Sequence, residues 1–292
     1  MKIERGRIQR VILCSMLGLL DLQLETLASG PGTLPPEGPS LKQRLTGFRV
    51  GAHRGGLPAP DQNTIHHFEQ ARLAGVDIVE TDLRASRDGE VFLFHDKLME
   101  DITDCTGPIG SKMAAEIRGC RLKDTKLGLS TFRELLAWSA GRVVINAEFK
   151  SSSSIEPALH LLREFSAYGW VYFQVDKNYA KARALDSRVA LLVTPKGPDA
   201  QKALESYLTL GDDNLLIIEL HEDIRTPENI LAIHHSGKLA SEDSWHFGQE
   251  IVEGFRRARC DDVFNAGIDI AITEMPAECV EERDAANQAA RR

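Results

Sequence analysis

Between residues 48 and 274, short runs rich in Val, Ile, Leu and Phe alternate with longer stretches of helical hydrophobic spacing, and this alternation restricts the fold most. Strands that alternate with helices build parallel sheets, because each helix carries the chain back to the edge where the next strand begins. Nine segments have strand character: 48–53, 77–83, 91–95, 143–149, 170–175, 189–194, 215–220, 238–242 and 268–274. Helical spacing fills the intervals, as in 64–74, 132–138, 157–167, 179–185, 199–208 and 247–266. Gly75, Gly169 and Gly267 stand where a left-handed cap would turn a helix back toward a strand. The repeat predicts an α/β chain, a (β/α)8 TIM-type barrel with a small insertion after the third strand. Nine candidates compete for eight places, and 215–220 and 238–242 are the weakest, with room for one of them. The interval from 96 to 142 is too long for a bare loop, so the insertion is placed at 96–130.

A chain of 292 residues needs no more than one such domain. With 42% hydrophobic and 27% charged residues it is neither collagen-like, disordered nor a polytopic membrane chain. A net charge of −8 without a basic stripe argues against nucleic acid as a partner. Lys2, Arg5, Arg7 and Arg10 precede an apolar stretch at 11–20. That stretch is too short for a stable membrane span, which takes ~20 residues. Two readings fit 1–28: a secretory signal peptide, giving a secreted or periplasmic protein, or an amphipathic segment on a cytoplasmic one. Segment 29–40, with four Pro and three Gly, reads as a linker. The barrel is then expected over 41–280 and a tail over 281–292. Cys14, Cys105, Cys120, Cys260 and Cys279 form no Cys-x-x-Cys pair, and are expected to be mostly buried thiols. If a disulfide does form, Cys105 with Cys120 closes the shortest loop. The number of associating chains is left open.

In a parallel barrel the reacting groups gather at the carboxyl ends of the strands. The first strand ends in His53-Arg54-Gly55. In the second, the i, i+2 spacing puts Glu80 and Asp82 on one face, away from Val79 and Leu83. Two inward carboxylates repel, so they are expected to share a cation, accept several donors or hold a proton. The third strand leads into His95-Asp96, and the fourth places Asn146, Glu148 and Lys150 on one alternating face. Three carboxylates, Glu80, Asp82 and Glu148, suit a hard divalent cation, Ca²⁺ or Mg²⁺, since zinc would recruit the imidazoles. Arg54 and Lys150 would then contact an anionic substrate, and His53 and His95 serve as general acid and base. Such a set suits a small-molecule phosphodiester. Gly-x-Ser-x-Gly and P-loop motifs are absent, which disfavours serine hydrolase and nucleotide-phosphate chemistry.

From Gly51 to Thr106, His53-Arg54-Gly55, Asn63-Thr64, Gly75, Glu80-Thr81-Asp82, Asp88-Gly89 and His95-Asp96 stand in the order and approximate spacing of the glycerophosphodiester phosphodiesterases, which the chain resembles. Further on, Leu129-Ser130-Thr131-Phe132, Glu148-Phe149-Lys150 and Thr273-Glu274-Met275-Pro276 look like later segments of the same family. The resemblance implies a metal-dependent enzyme that releases an alcohol and glycerol 3-phosphate. It also implies His53 and His95 as the acid and base pair, Glu80, Asp82 and Glu148 as metal ligands, and Arg54 and Lys150 as phosphate contacts. In the family, the glycerol hydroxyl beside the phosphoester is thought to attack first, and water then opens the cyclic phosphate. Where the family carries Pro-Glu-Asn-Thr this chain has Asp61-Gln62-Asn63-Thr64, and Glu274 is one methylene longer than the usual Asp. An arginine usual after the His-Asp pair is missing from 100–103, and the usual Trp-Thr-Val-Asn run is not recognisable, though Trp245 lies in its region.

His66, His67, His234 and His235 are read as solvated helix positions. Glu219 and Glu242, at the ends of late strands, are marginal candidates for substrate contact. Two rivals accompany the phosphodiesterase. One is a sphingomyelinase D-like or lysophospholipase D-like barrel that stops at the cyclic phosphate, and the other is a barrel that binds phosphoesters without turning them over.

Overall fold

A computed structural model describes residues 39–56, 60–221, 223–243 and 260–291. The signal-or-helix expectation for 1–28, most of the linker, Trp245 and the start of the 247–266 helix lie outside those residues. The strands are β1 (Arg49–Ala52), β2 (Ile78–Ala85), β3 (Val91–Leu93), β4 (Val144–Phe149), β5 (Val171–Gln174), β6 (Leu191–Val193), β7 (Leu215–Leu220), β8 (Leu239–Asp243) and β9 (Ile270–Thr273). The helices are α1 (Leu41–Arg44), α2 (Ile65–Leu73), α3 (Ala114–Gly119), α4 (Phe132–Ser139), α5 (Ile155–Glu164), α6 (Tyr179–Leu185), α7 (Ala200–Thr209), α8 (Pro227–His235), α9 (Cys260–Asn265) and α10 (Pro276–Ala289).

The strands run in the order β1-β9-β8-β7-β6-β5-β4-β2, and β1 pairs with β2 to close the barrel. Every pair in that ring is parallel. The odd strand is therefore β3, and both 215–220 and 238–242 hold barrel places, contrary to expectation. Strand β3 pairs antiparallel with the end of β2, Leu83 opposite Leu93 and Ala85 opposite Val91. The reason is the length of the link, since only residues 86–90 separate the two strands. Parallel strands need a crossover of about a dozen residues or more. Gly89, at a φ of 90°, makes the tight turn instead.

Alternation along the strands sorts the core into two shells. Outward residues such as Val79, Ile145, Phe173 and Ile218 pack under the helices. Inward residues Ile78, Val144, Tyr172, Leu192, Ile217, Ile270 and Ile272 fill the lower barrel, and Leu41 and Leu45 join them. Above that apolar layer the inward positions turn polar, which places the chemistry at the carboxyl mouth.

Two further expectations are corrected. Residues 281–289 form the second half of α10 rather than a tail. Arg283 donates from Nη1 to Asp77 Oδ2 at 2.6 Å, and Asn287 donates from Nδ2 to Phe48 O at 3.0 Å. Cysteines expected as thiols form two disulfides, Cys105–Cys120 and Cys260–Cys279. The first lies within the insertion after β3, where Phe92, Phe94, Met99, Ile109 and Ile117 form a small separate core. The second joins α9 to α10.

Candidate active site

Strand β1 delivers His53 and Arg54 into a sharp turn in which Arg54, Gly55 and Gly56 all have positive φ, 50°, 105° and 102°. Gly55 is required there, because a Cβ would lie 2.6 Å from the His67 ring. His67, expected to be solvated, is buried beneath the turn and bonds Asp61 Oδ1 from Nδ1 at 2.8 Å. A left-handed, non-glycine Arg54 is the kind of strain that persists only when neighbours fix it. Its N–H donates to Glu80 Oε2 at 3.0 Å and its carbonyl accepts from Asn63 N at 3.0 Å.

Parallel pairing of β2 with β4 sets Glu80 beside Asn146 and Asp82 beside Glu148. A ligand oxygen from each of Glu80, Asp82 and Glu148 lies within 4.8 Å of the other two. Glu80 and Asp82 are 4% and 1% exposed, so their charge needs compensation. For Asp82 the compensation is direct: Arg54 Nε lies 3.0 Å from Oδ2 and Lys150 Nζ 3.2 Å from Oδ1. Burial pushes the Asp82 carboxyl up, but Lys150, Arg54, His95 and the Asn63 hydrogen bond outweigh it and hold it below its ordinary range. Glu80 gets less help, and burial together with the Asp82 charge raises its carboxyl to about 8. Lys150 also donates to Glu148 Oε2 at 2.6 Å. Arg54 and Lys150, expected as phosphate contacts, thus face the acidic trio and neutralise it here.

Each imidazole has a carboxylate on Nδ1. Glu274 Oε1 lies 3.4 Å from His53 Nδ1, and Asp96 Oδ1 lies 2.8 Å from His95 Nδ1. His53 Nε2 is 3.9 Å from Glu80 Oε2. Burial works against a charged His53, yet the Glu274 bond and the charges of Glu80 and Asp243 prevail and raise its pKa. A carboxylate on one ring nitrogen fixes the orientation of the ring and leaves Nε2 for proton transfer. All seven candidates from the sequence therefore gather at one mouth. The carboxylate partners Glu274 and Asp96 and the hydrogen-bonding hub Asn63 were not among them, although the alternation of β9 and the neighbouring position of Asp96 carried the signal.

Glu219 also points inward, where its Oε1 accepts from Thr194 Oγ1 at 3.0 Å and from Gln174 Nε2 at 3.3 Å. Glu242 turns outward to Arg225 Nε at 2.8 Å, which removes it from the candidates. A small cavity of about 20 Å³ bounded by His53, Glu80, Asn146, Glu148, Gln174 and Glu219 lies under the trio. Both side-chain amide atoms of Asn146 are buried there without a hydrogen-bond partner among the described residues. Together these groups can hold a hard cation, bind an anion beside it and move protons on either side of it.

Residues 53–190 match the model of the Glycerophosphoryl diester phosphodiesterase family. A Mycobacterium tuberculosis protein named "Probable glycerophosphodiester phosphodiesterase 2" is 27% identical over 178 residues, 59% of this chain and 66% of the relative. The chain spans less than two thirds of the length of the curated relatives it matches. Among solved structures, a glycerophosphoryl diester phosphodiesterase from Parabacteroides distasonis superposes with a TM-score of 0.69 at 19% identity, covering 84% of this chain and 92% of that one. A phosphodiesterase from Oleispira antarctica, solved in complex with the product sn-glycerol-3-phosphate, has a TM-score of 0.63 at 19% identity, covering 82% and 97%. These likenesses carry the same barrel fold.

Proposed function

We propose that this chain, which matches the glycerophosphoryl diester phosphodiesterase family over residues 53–190, hydrolyses glycerophosphodiesters to an alcohol and glycerol 3-phosphate, with a divalent cation bound and His53 and His95 moving the protons. The observation that carries this reading is the meeting of Glu80, Asp82 and Glu148 at the mouth that also holds both imidazoles. The donor set fits a cation: it is all oxygen, Glu80 and Asp82 are buried with Glu148 half-buried at the mouth, and burial together with the Asp82 charge makes a bare Glu80 carboxylate costly without a further cation. Glu80, Asp82 and Glu148 would hold Ca²⁺ or Mg²⁺, which when bound supplies stabilisation of negative charge on the phosphate oxygens.

The remaining roles belong to the chain's own residues. Arg54 and Lys150 sit against the trio and can turn their donors to phosphate oxygens. One imidazole takes the proton of the glycerol hydroxyl as its oxygen bonds to phosphorus, and the other gives a proton to the departing alcohol oxygen. The roles then reverse: water loses a proton as it attacks the cyclic phosphate, and the ring-opening oxygen regains one. Glu274 and Asp96, each on an Nδ1, keep the Nε2 atoms aimed at the reacting oxygens and stabilise the imidazolium that forms.

The test is release of glycerol 3-phosphate from a panel of glycerophosphodiesters, with and without Ca²⁺ or Mg²⁺. His53→Ala and His95→Ala are each expected to lower turnover by about 10²–10⁴-fold with the fold retained. Glu80→Gln is expected to raise the cation concentration needed for half-maximal rate. Near-normal turnover in both histidine variants would remove the acid and base roles, and full activity in excess chelator would remove the cation. Phosphorus NMR separates complete hydrolysis from a reaction that stops at the cyclic phosphate.

A further inference from the structure

Beside the acidic trio lies a second and larger cavity, about 440 Å³, formed at the carboxyl ends of β4, β5 and β6 and roofed by Tyr207 of α7. Glu148 and Lys150 line it as well, so it opens from the reaction centre itself. Its volume falls in the range of pockets that enclose a drug-sized ligand, which exceeds what a three-carbon triol fills. Resting on the phosphodiesterase reading, we infer that this cavity takes the leaving alcohol, and that Lys177 and Lys196 select alcohols carrying an anionic group.

Accounting for the charges on the wall decides the sign. Lys150 and Glu148 are paired with each other, and Lys150 is also shared with Asp82. Asp176 is already spent, since Oδ2 accepts from Lys196 Nζ at 2.5 Å and Oδ1 accepts from Thr194 N at 3.3 Å. Lys196 gives one of its three N–H donors to that bond and keeps the others. Lys177 has no ion-pair partner among the described residues. The unspent donors are cationic and the acids are occupied, so an anion on the alcohol is matched and a quaternary ammonium is not. The side chain of Lys196 is 58% exposed, so the effect belongs to the class of solvated pairs, worth up to about 1 kcal/mol, or roughly three- to fivefold in rate constant.

Glycerophosphoserine and glycerophosphoethanolamine differ by one carboxylate and form a matched pair. The parent protein is expected to show kcat/KM about three- to fivefold higher for the serine diester. Lys177→Ala combined with Lys196→Ala should bring that ratio to unity or below, and Lys196→Arg should keep it. A parent ratio at or below unity, a ratio that the double substitution leaves unchanged, or a preference for glycerophosphocholine would each overturn the inference. Calorimetric titration of the same two diesters into the His53→Ala variant reads binding without turnover. Lysine-dependent tighter binding of the serine diester, with no diester hydrolysed by the parent, would retain the pocket and discard the hydrolytic reading. Equal binding of the two would discard the pocket whatever the hydrolysis shows.

Discussion

Asn63 lies 3% exposed in a left-handed conformation, φ 58°, and ties the first loop to β2. Its Nδ2 donates to Asp82 Oδ2 at 2.8 Å, and its Oδ1 accepts from Thr81 Oγ1 at 2.8 Å and from Asp82 N at 3.2 Å. The Asp82 oxygen that receives this bond is the one facing Arg54, so the amide and the guanidinium orient it together. Asn63→Gly keeps the left-handed backbone without steric cost and removes only the side-chain bonds. It is expected to lower unfolding free energy by about 1–3 kcal/mol, because a buried hydroxyl and a buried carboxylate each lose a partner. Urea denaturation measures this, and a loss below about 0.5 kcal/mol would show that water replaces the amide without penalty. Resemblance to the family singled out the Asn63-Thr64 pair, yet the residue's work was not legible, since its partners stand 18 and 19 positions away and no periodicity links them. The same holds for Glu274: sequence shows an acid at the end of the last strand, and only the parallel pairing of β1 with β9 brings it to His53.

At the level of elements, periodicity located strands well and ranked them badly. Each of the nine predicted runs overlaps an observed strand, and seven contain it whole, while β2 runs on to Ala85 and β8 to Asp243, because a buried parallel strand needs an apolar run and shows one. Which run stood outside the barrel depended on connection length, a signal available in the five residues between β2 and β3. That hairpin matters to the site, since it sends the chain back over the mouth and sets His95 beyond Leu93, where Arg84 Nε donates to its carbonyl at 2.8 Å. The insertion that follows cannot draw on the main core and has a small one of its own. Its disulfide, Cys105–Cys120, closes a loop with a sequence separation of 15. The chain-entropy model assigns such a loop about 3 kcal/mol, relative to an unfolded chain left open. Cys105→Ser with Cys120→Ser is therefore expected to destabilise the protein by about 2–4 kcal/mol, read as a shift of the urea midpoint. A midpoint unchanged from the parent, with no thiol-reactive difference between the two proteins, would mean that the bridge does not form. Sequence spacing could not decide this pairing, because the Cα–Cα distance of 5.6 Å results from the insertion's tertiary fold.

Across the whole molecule, the barrel divides its interior between stability and chemistry, with an apolar floor and an acidic upper layer. Leu41 and Leu45 of the N-terminal turn complete that floor at 4% and 0% exposure. In the upper layer Glu219 is 3% exposed, and burial with the nearby Asp243 charge pushes its carboxyl well above the ordinary range. The hydrogen bond from Thr194 opposes this and does not prevail. A raised folded pKa means that the native state keeps a proton the unfolded chain has already released. Stability from this group is therefore complete below the unfolded carboxyl range and falls as pH rises toward the folded value, with a slope of at most about 1.4 kcal/mol per pH unit. Glu219→Gln retains the accepting oxygen for Thr194 and Gln174 and has no proton to lose. The variant is expected to match the parent near pH 4, and to exceed it in melting temperature by a margin that widens toward pH 8. Melting curves of the two proteins at pH 4, 6 and 8, in chelator so that cation binding does not intervene, measure that margin. A constant gap across the three pH values would show that Glu219 is ionised in the native barrel, and that its Thr194 and Gln174 donors suffice to hold a bare carboxylate inside it.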